Sequence, residues 1–408
     1  MSARKPALGF IFITLFLDIL GIGLIVPILP RLITHLQGNN VEAAAHTVGA
    51  LGALYALMQF LCAPILGSLS DRYGRRPVIL GSLFGSGLDY LLLAFAPSLS
   101  WFFVGRIVAG ITGANIAAAS SYIADISPPE KRAANFGIIG AAFGLGFIAG
   151  PALGGLLGAN DLRLPFLVAA GLTLANWVYG LIVLPESLAP ENRRAFSWAR
   201  ANPVGSLLAL RRWPVVVGLA SSLFLMNLAQ FGLQNVWVLY TEYRYHWTSR
   251  QVGASLAVVG LMAAIVQGGL ARRIIPALGE RRAIVIGLTI GSINMIGYGL
   301  ATAGWMILTI VAIGSLGSFG GPALQGLISR NVPPNEQGSV QGALASLGSV
   351  AGFIAPLIAT SLFGYFISDR APVKLPGAPF FLSAGLLITA MLLAVRSFRS
   401  TPASAKQS

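Results

Sequence analysis

Asp18 and Asp89 each stand alone inside a long apolar stretch, and Arg106 stands in a third. The chain has only 13 acidic residues, and the other 11 fall in expected connections or at helix ends. Leaving a charge in hydrocarbon costs roughly 2.5–3.5 kcal/mol by insertion scales, so carboxylates at such positions usually line a polar cavity or relay protons. The chemistry these three residues offer is therefore proton binding and release, with an arginine to pull on the carboxylates at low dielectric. The competing reading is a carboxyl group hydrogen-bonded to a neighbouring helix. The three histidines, His35, His46 and His246, all fall in expected outer connections, and the single cysteine, Cys62, lies within an expected helix. No disulfide, metal centre or cofactor is expected, and no enzymatic activity.

Elements that hold such residues must cross a membrane. Hydrophobic residues make up 55% of the 408 and charged ones 10%, which is outside the range of ordinary soluble domains. Twelve apolar segments long enough to span are expected, at 8–30, 47–69, 77–96, 101–124, 134–158, 164–184, 214–240, 250–271, 283–302, 304–328, 338–367 and 378–397. The first is too long for a signal-peptide core and has no small-residue cleavage site. Of the 27 Lys and Arg, 20 fall in the termini and one set of connections, six in the other set, and Arg106 within a span. The positive-inside rule then puts both termini in the cytoplasm. That distribution also explains the net charge of +14 without nucleic acid. Counted at 1.5 Å per residue, Asp18 and Asp89 lie roughly 15–18 Å deep, near the midplane, and Arg106 roughly 9 Å from the outer end.

A polar stretch separates the spans six and six, giving a first bundle at 1–184, a linker at 185–213 and a second bundle at 214–408. Pro128–Pro129 recurs as Pro333–Pro334, and Pro151 as Pro356, both at an offset of 205; Arg75–Gly81 resembles Arg281–Gly287 at 206. The fold expected is all-α, with twelve transmembrane helices in two pseudo-symmetric six-helix bundles. Duplicated halves are the mark of carriers that rock about a central site.

The most specific motif is Gly67-Ser68-Leu69-Ser70-Asp71-Arg72-Tyr73-Gly74-Arg75-Arg76-Pro77, followed by a second charged cluster from Asp125 to Arg132. Here the chain resembles the major facilitator superfamily. The resemblance implies a latch built from Gly67, Asp71, Arg75, Asp125 and Arg132 that breaks as the halves rock. At the matching places in the second half, Gln337 replaces the basic residue and Arg330 the acid, so the latch should be asymmetric. Gly144, Gly146, Gly150, Pro151, Gly154 and Gly155 resemble the signature of antiporters within the superfamily; tight helix packing is the alternative.

Ser86–Phe95, Gly105–Ala114, Phe143–Pro151, Val236–Glu242 and Pro322–Gly326 are similar to segments of the tetracycline/proton antiporters. This implies proton-driven export of amphipathic or drug-like molecules from a bacterium across its inner membrane, with Asp18, Asp89 and Arg106 important for coupling. The alternative is transport of a polar metabolite such as a sugar or organic ion. Where those exporters carry a histidine and an aspartate in spans 8 and 9, this chain has Ala263 and Gly291, which weighs against a magnesium chelate as the principal substrate. Asp89, Gln59, Asn115, Asn227, Gln230, Gln234, Trp237, Asn294 and Gln325 are the candidate substrate contacts, with Asn235 and Tyr240 beside them. They suit a large, partly aromatic ligand. The expected partners are substrate, protons and lipid, and the expected working unit is a monomer.

Overall fold

The computed structural model describes residues 8–113, 116–128, 132–196, 214–332 and 337–399. Among them every regular element is helical. In chain order these are α1 (Leu8–Ile25), α2 (Leu29–Leu36), α3 (Val41–Tyr73), α4 (Arg75–Phe95), α5 (Leu99–Thr112), α6 (Ile116–Ile126), α7 (Arg132–Leu157) and α8 (Leu164–Val183). There follow α9 (Pro214–Tyr245), α10 (Ser249–Ile265), α11 (Ala271–Leu278), α12 (Glu280–Leu300), α13 (Gly304–Gly314), α14 (Gly320–Arg330), α15 (Gln337–Ile367) and α16 (Ala378–Arg399). Most are apolar on every face. That suits hydrocarbon, where a helix satisfies its own backbone and no polar face is needed.

Ten described helical segments are long and apolar enough to cross a membrane, and α5 and α10 are shorter apolar helices. Both shorter ones lie where longer spans were expected, at 101–124 and 250–271. Helix α5 stops at Thr112, and α10 runs into a wide π turn at Val266–Leu270 before α11. The segment at 304–330 likewise tightens into a 3-10 turn at Ser315–Phe319 between α13 and α14.

The internal repeat is visible in the backbone. Helices α4 and α12 are both 21 residues long and begin 205 positions apart. Each is preceded by a glycine at positive φ, Gly74 at 108° and Gly279 at 76°. The register is therefore 205 here also, and the 206 read from the paired arginines is one position out. At 205, Arg75 corresponds to Glu280 and Asp89 to Asn294.

The described residues group into two compact units. One takes those of Met1–Asn202 together with Thr241–Leu261; the other takes those of Pro203–Tyr240 and Met262–Ser408. Thr241–Leu261, assigned to the second half from sequence, thus groups with the first. Inside the first unit, Ile11, Leu15, Ile79, Leu83, Tyr122 and Leu184 form part of a buried core. Helix α7 packs on α1 through glycines: a β-carbon on Gly150 would stand 2.6 Å from Gly23 Cα, and one on Gly154 only 2.1 Å from the Leu24 carbonyl oxygen. Gly155 meets the Ser249 carbonyl in the same way, at 2.4 Å. Near that contact Arg31 pairs with Glu242 at 3.3 Å and donates to Ser249 Oγ at 2.8 Å.

Candidate functional site

Small residues position the central polar groups. A β-carbon on Gly110 of α5 would lie 2.5 Å from Met58 Cβ and 2.7 Å from the Tyr55 carbonyl oxygen, so α3 and α5 touch backbone to backbone. A β-carbon on Gly105 would lie 2.8 Å from Asp89 Oδ1, so the gap left by Gly105 is what lets Asp89 of α4 face α5. Beside it, the Arg106 guanidinium carbon stands 5.8 Å from the centroid of the Tyr55 ring, within cation–π range. Gln59 donates to Tyr55 Oη at 3.4 Å and to the Gly113 carbonyl at 3.3 Å.

Asp18 is 6% exposed and Asp89 2%. Neither oxygen of Asp89 has a hydrogen-bond partner among the described residues, nor has Arg106 Nε. Tyr90 lies within electrostatic reach of Asp18, Asp89, Tyr55 and Arg106, so the three sequence candidates share one neighbourhood. A buried carboxyl group without a partner calls for a proton, a water or a cationic ligand. Asp89 and Arg106 are neighbours, yet no direct ion pair between them occurs among the described residues.

At the α3–α4 turn, Arg75 is nearly buried and holds three partners. Its guanidinium bonds Asp71, Ser70 Oγ at 3.2 Å and Asp125 Oδ2 at 3.1 Å. Asp71, Arg75 and Asp125, three of the residues the resemblance groups together, are thus in contact. The Arg132 side chain lies outside the described residues, and a β-carbon on Gly67 would meet nothing within 4 Å.

The residue that sequence reasoning missed is Glu186. Gly74 offers the start of α4 no capping side chain, and Glu186 supplies the cap from the far end of α8. Its Oε1 accepts from the amides of Arg75 at 2.9 Å, Ser187 at 3.0 Å and Leu188 at 3.1 Å, and its Oε2 from Arg76 at 3.3 Å. A carboxylate at a helix N-terminus also meets the positive end of the macrodipole. The clue in the sequence was an acid directly after a span and Pro185. Arg194 N donates to the Asp71 carbonyl at 3.0 Å. A polar cavity of about 540 Å³ opens beside the cluster, lined by Asp71, Arg75, Asp125, Glu191, Arg193 and Arg194.

The second unit carries the same pair with its charges exchanged. Arg330 Nε lies 3.2 Å from Glu280 Oε1, at the positions 205 beyond Asp125 and Arg75. The order of the charges is therefore inverted between the two pairs, which the one-residue register error hides in the sequence. The two pairs should not weigh equally. Arg330 is 77% exposed, where an ion pair contributes about 0–1 kcal/mol, whereas the Arg75 side chain is 9% exposed and has two carboxylates. Arg75→Gln should lower the melting temperature of the purified protein measurably, by about 1–3 kcal/mol of stability, while Arg330→Gln leaves it within error. Equal shifts would contradict the ranking.

The remaining candidates differ in exposure and partners. Asn115 lies outside the described residues. Asn227 is half-buried, near Gly348, and Gln230, Gln234 and Gln325 are exposed. Asn294 packs against Gly314 with its Oδ1 buried and unpartnered among the described residues. Asn235 is bonded to its own helix at Phe231 O. Trp237 meets the Tyr298 ring edge-on at 5.2 Å, and Tyr240 donates to the Tyr298 carbonyl at 2.7 Å and packs on Phe380. In this structure both rings pack against protein. Among the described residues no group of His, Cys, Asp and Glu could hold a metal ion.

Fold and site together define a polytopic membrane transporter. The chain belongs to the Major Facilitator Superfamily, whose family model matches residues 11–356. It is 43% identical over 357 residues to the class C tetracycline resistance protein of Escherichia coli, covering 88% of this chain and 89% of that one. It is 38% identical over 394 residues to the class H tetracycline resistance protein of Pasteurella multocida, covering 95% and 96%. The crystal structure of the human organic anion transporter MFSD10 (TETRAN) is similar with a TM-score of 0.70, at 26% identity, over 95% of this chain and 98% of that one.

Proposed function

We propose that this chain is a proton-coupled exporter of amphipathic, drug-like molecules, tetracyclines among them. It works by alternating access between halves at 1–184 and 214–408 joined by 185–213. The ten long spans and the two shorter apolar helices make twelve crossings, six to each half. The chain works as a monomer in the inner membrane of a bacterium with both termini in the cytoplasm, an orientation supported by the 20-to-6 bias of basic residues.

The observation that carries this reading is Asp89: a carboxyl group 2% exposed inside a membrane span, with both oxygens unpartnered among the described residues, beside Arg106 and in reach of the same tyrosine as Asp18. An orphaned acid at that depth is a site made to be filled and emptied. Asp18 carries the proton and Asp89 takes the substrate or its cationic portion. Gln59, Asn227, Gln230, Gln234, Asn294 and Gln325 supply polar contacts, and the Arg75 cluster with Arg132 biases the alternation. The 38–43% identity to tetracycline resistance proteins over most of the chain supports the same reading.

Everted membrane vesicles with an imposed proton gradient test it. Tetracyclines and hydrophobic dyes should discharge the gradient and accumulate inside, while sugars do neither. Discharge by sugars alone would replace this reading with metabolite transport.

A further inference from the structure

Helix α8 carries two fully buried polar side chains whose oxygens have no partner among the described residues: Thr173 Oγ1 and Asn176 Oδ1. They are three positions apart, so they share one side of the helix. Two contacts set that side against α1. Asn176 Nδ2 donates to the Thr14 carbonyl at 2.9 Å. Thr173 Oγ1 lies 3.2 Å from the point where a β-carbon of Gly21 would stand, and the Tyr90 hydroxyl lies 3.6 Å from the same point. The helices therefore run antiparallel, with Asn176 reaching Thr14 and Thr173 lying beside Gly21. Asp18 is four positions after Thr14 and three before Gly21, so it shares their side of α1 and lies between the two points where α1 meets these residues.

Buried oxygens without partners are rare, and each calls for an explanation. The chemistry of the pair supplies one. An ionised carboxylate only accepts hydrogen bonds, whereas a carboxylic acid has an O–H to donate. The Asn176 amide oxygen only accepts, so it matches the acid. The Thr173 hydroxyl can donate, so it matches the carboxylate.

We propose that Thr173 and Asn176 are positioning residues for the transported proton, Thr173 receiving Asp18 as the carboxylate and Asn176 receiving it as the acid, directly or through one water. The inference rests on the assignment of Asp18 as proton carrier. Each protonation state thereby gains its own partner on α8, so loading and unloading change how α1 is held against α8. The other ionisable groups facing Asp18 are Tyr90 and Asp89 on α4, Tyr55 on α3 and Arg106 on α5. The described side chains of α7 that meet α1 are glycines and apolar groups. Tyr122 of α6 is engaged with the Pro185 carbonyl at 3.1 Å.

The test is the pH dependence of tetracycline-driven proton exchange in reconstituted vesicles. Thr173→Val removes the donor and should move the half-maximal pH upward by about one unit, while Thr173→Ser restores the wild-type curve. Asn176→Leu removes the acceptor and should move it downward. Because that variant also loses the bond to Thr14, the threonine pair carries the conclusion, with Thr173→Ala in reserve if valine prevents folding. A wild-type curve for Thr173→Val, or one for Thr173→Ser displaced as far as for Thr173→Val, overturns the inference. Asp18→Asn separates this failure from that of the parent reading. If Asp18→Asn abolishes proton exchange while the Thr173 variants are inert, only the α8 partners are wrong. If Asp18→Asn itself exchanges protons normally, the proton-carrier assignment falls first.

Discussion

Asp18→Asn gives a folded protein that no longer concentrates substrate. The amide is isosteric with the carboxyl group, so the packing of α1 is kept, but it cannot bind and release a proton. A proton moving down 100 mV supplies about 2.3 kcal/mol, which sustains roughly a 50-fold substrate gradient per proton. Without the carrier that ratio collapses to one. Substrate counterflow, which needs no net proton movement, should survive in part, and this separates uncoupling from misfolding. Asp89→Asn behaves differently. It removes a buried charge beside Gly105 and Arg106, so affinity for cationic ligands falls while neutral ones are less affected. Accumulation at normal rates by Asp18→Asn, or unchanged affinity across ligand charges in Asp89→Asn, would remove the role assigned to that residue.

Gly154→Val abolishes the folded protein, and Gly144→Ala does not. The β-carbon of any residue at 154 would lie 2.1 Å from the Leu24 carbonyl oxygen, 2.8 Å from its carbon and 2.9 Å from Cα, all of them backbone atoms that no rotamer change can move. Overpacking in a close-packed interior costs about 1–3 kcal/mol when side chains can give way, and more when a helix must be displaced. Gly146 and Gly150 meet α1 along the same line, at Ile19 and Gly23. Gly144 has nothing within 4 Å of its would-be β-carbon among the described residues. Thermal melting in detergent distinguishes the two. A stable Gly154→Val protein with impaired transport would instead make this stripe a moving contact rather than a seam. Pro151 lies within α7, and its carbonyl oxygen would be 2.3 Å from a β-carbon on Gly253. The stripe that resembles an antiporter signature thus packs on two helices at once.

Membrane residence, the positions of ten of the expected spans, the internal repeat and the isolation of Asp18, Asp89 and Arg106 were all legible in the chain. Hydropathy and charge bias are sums over consecutive residues, so they survive without knowledge of any fold. The motif around Asp71 and Arg75 was legible for a similar reason, because its partners lie in one short loop and at one nearby helix end. What a helix meets across the bundle was not legible. A soluble helix betrays its rotation through a polar face, but α1, α4 and α8 are apolar all round, and nothing in their periodicity says that Asn176 reaches Thr14 or that Gly105 faces Asp89. Glu186 capping α4 from 111 positions away, the inverted pair of Glu280 and Arg330, and the Tyr55 ring beside Arg106 are likewise products of packing. The second register failed for a local reason. Arg75-Arg76 and Arg281-Arg282 look alike, but the positive φ of Gly74 and Gly279 sets where each helix begins, and a dihedral angle is a property of the folded backbone alone.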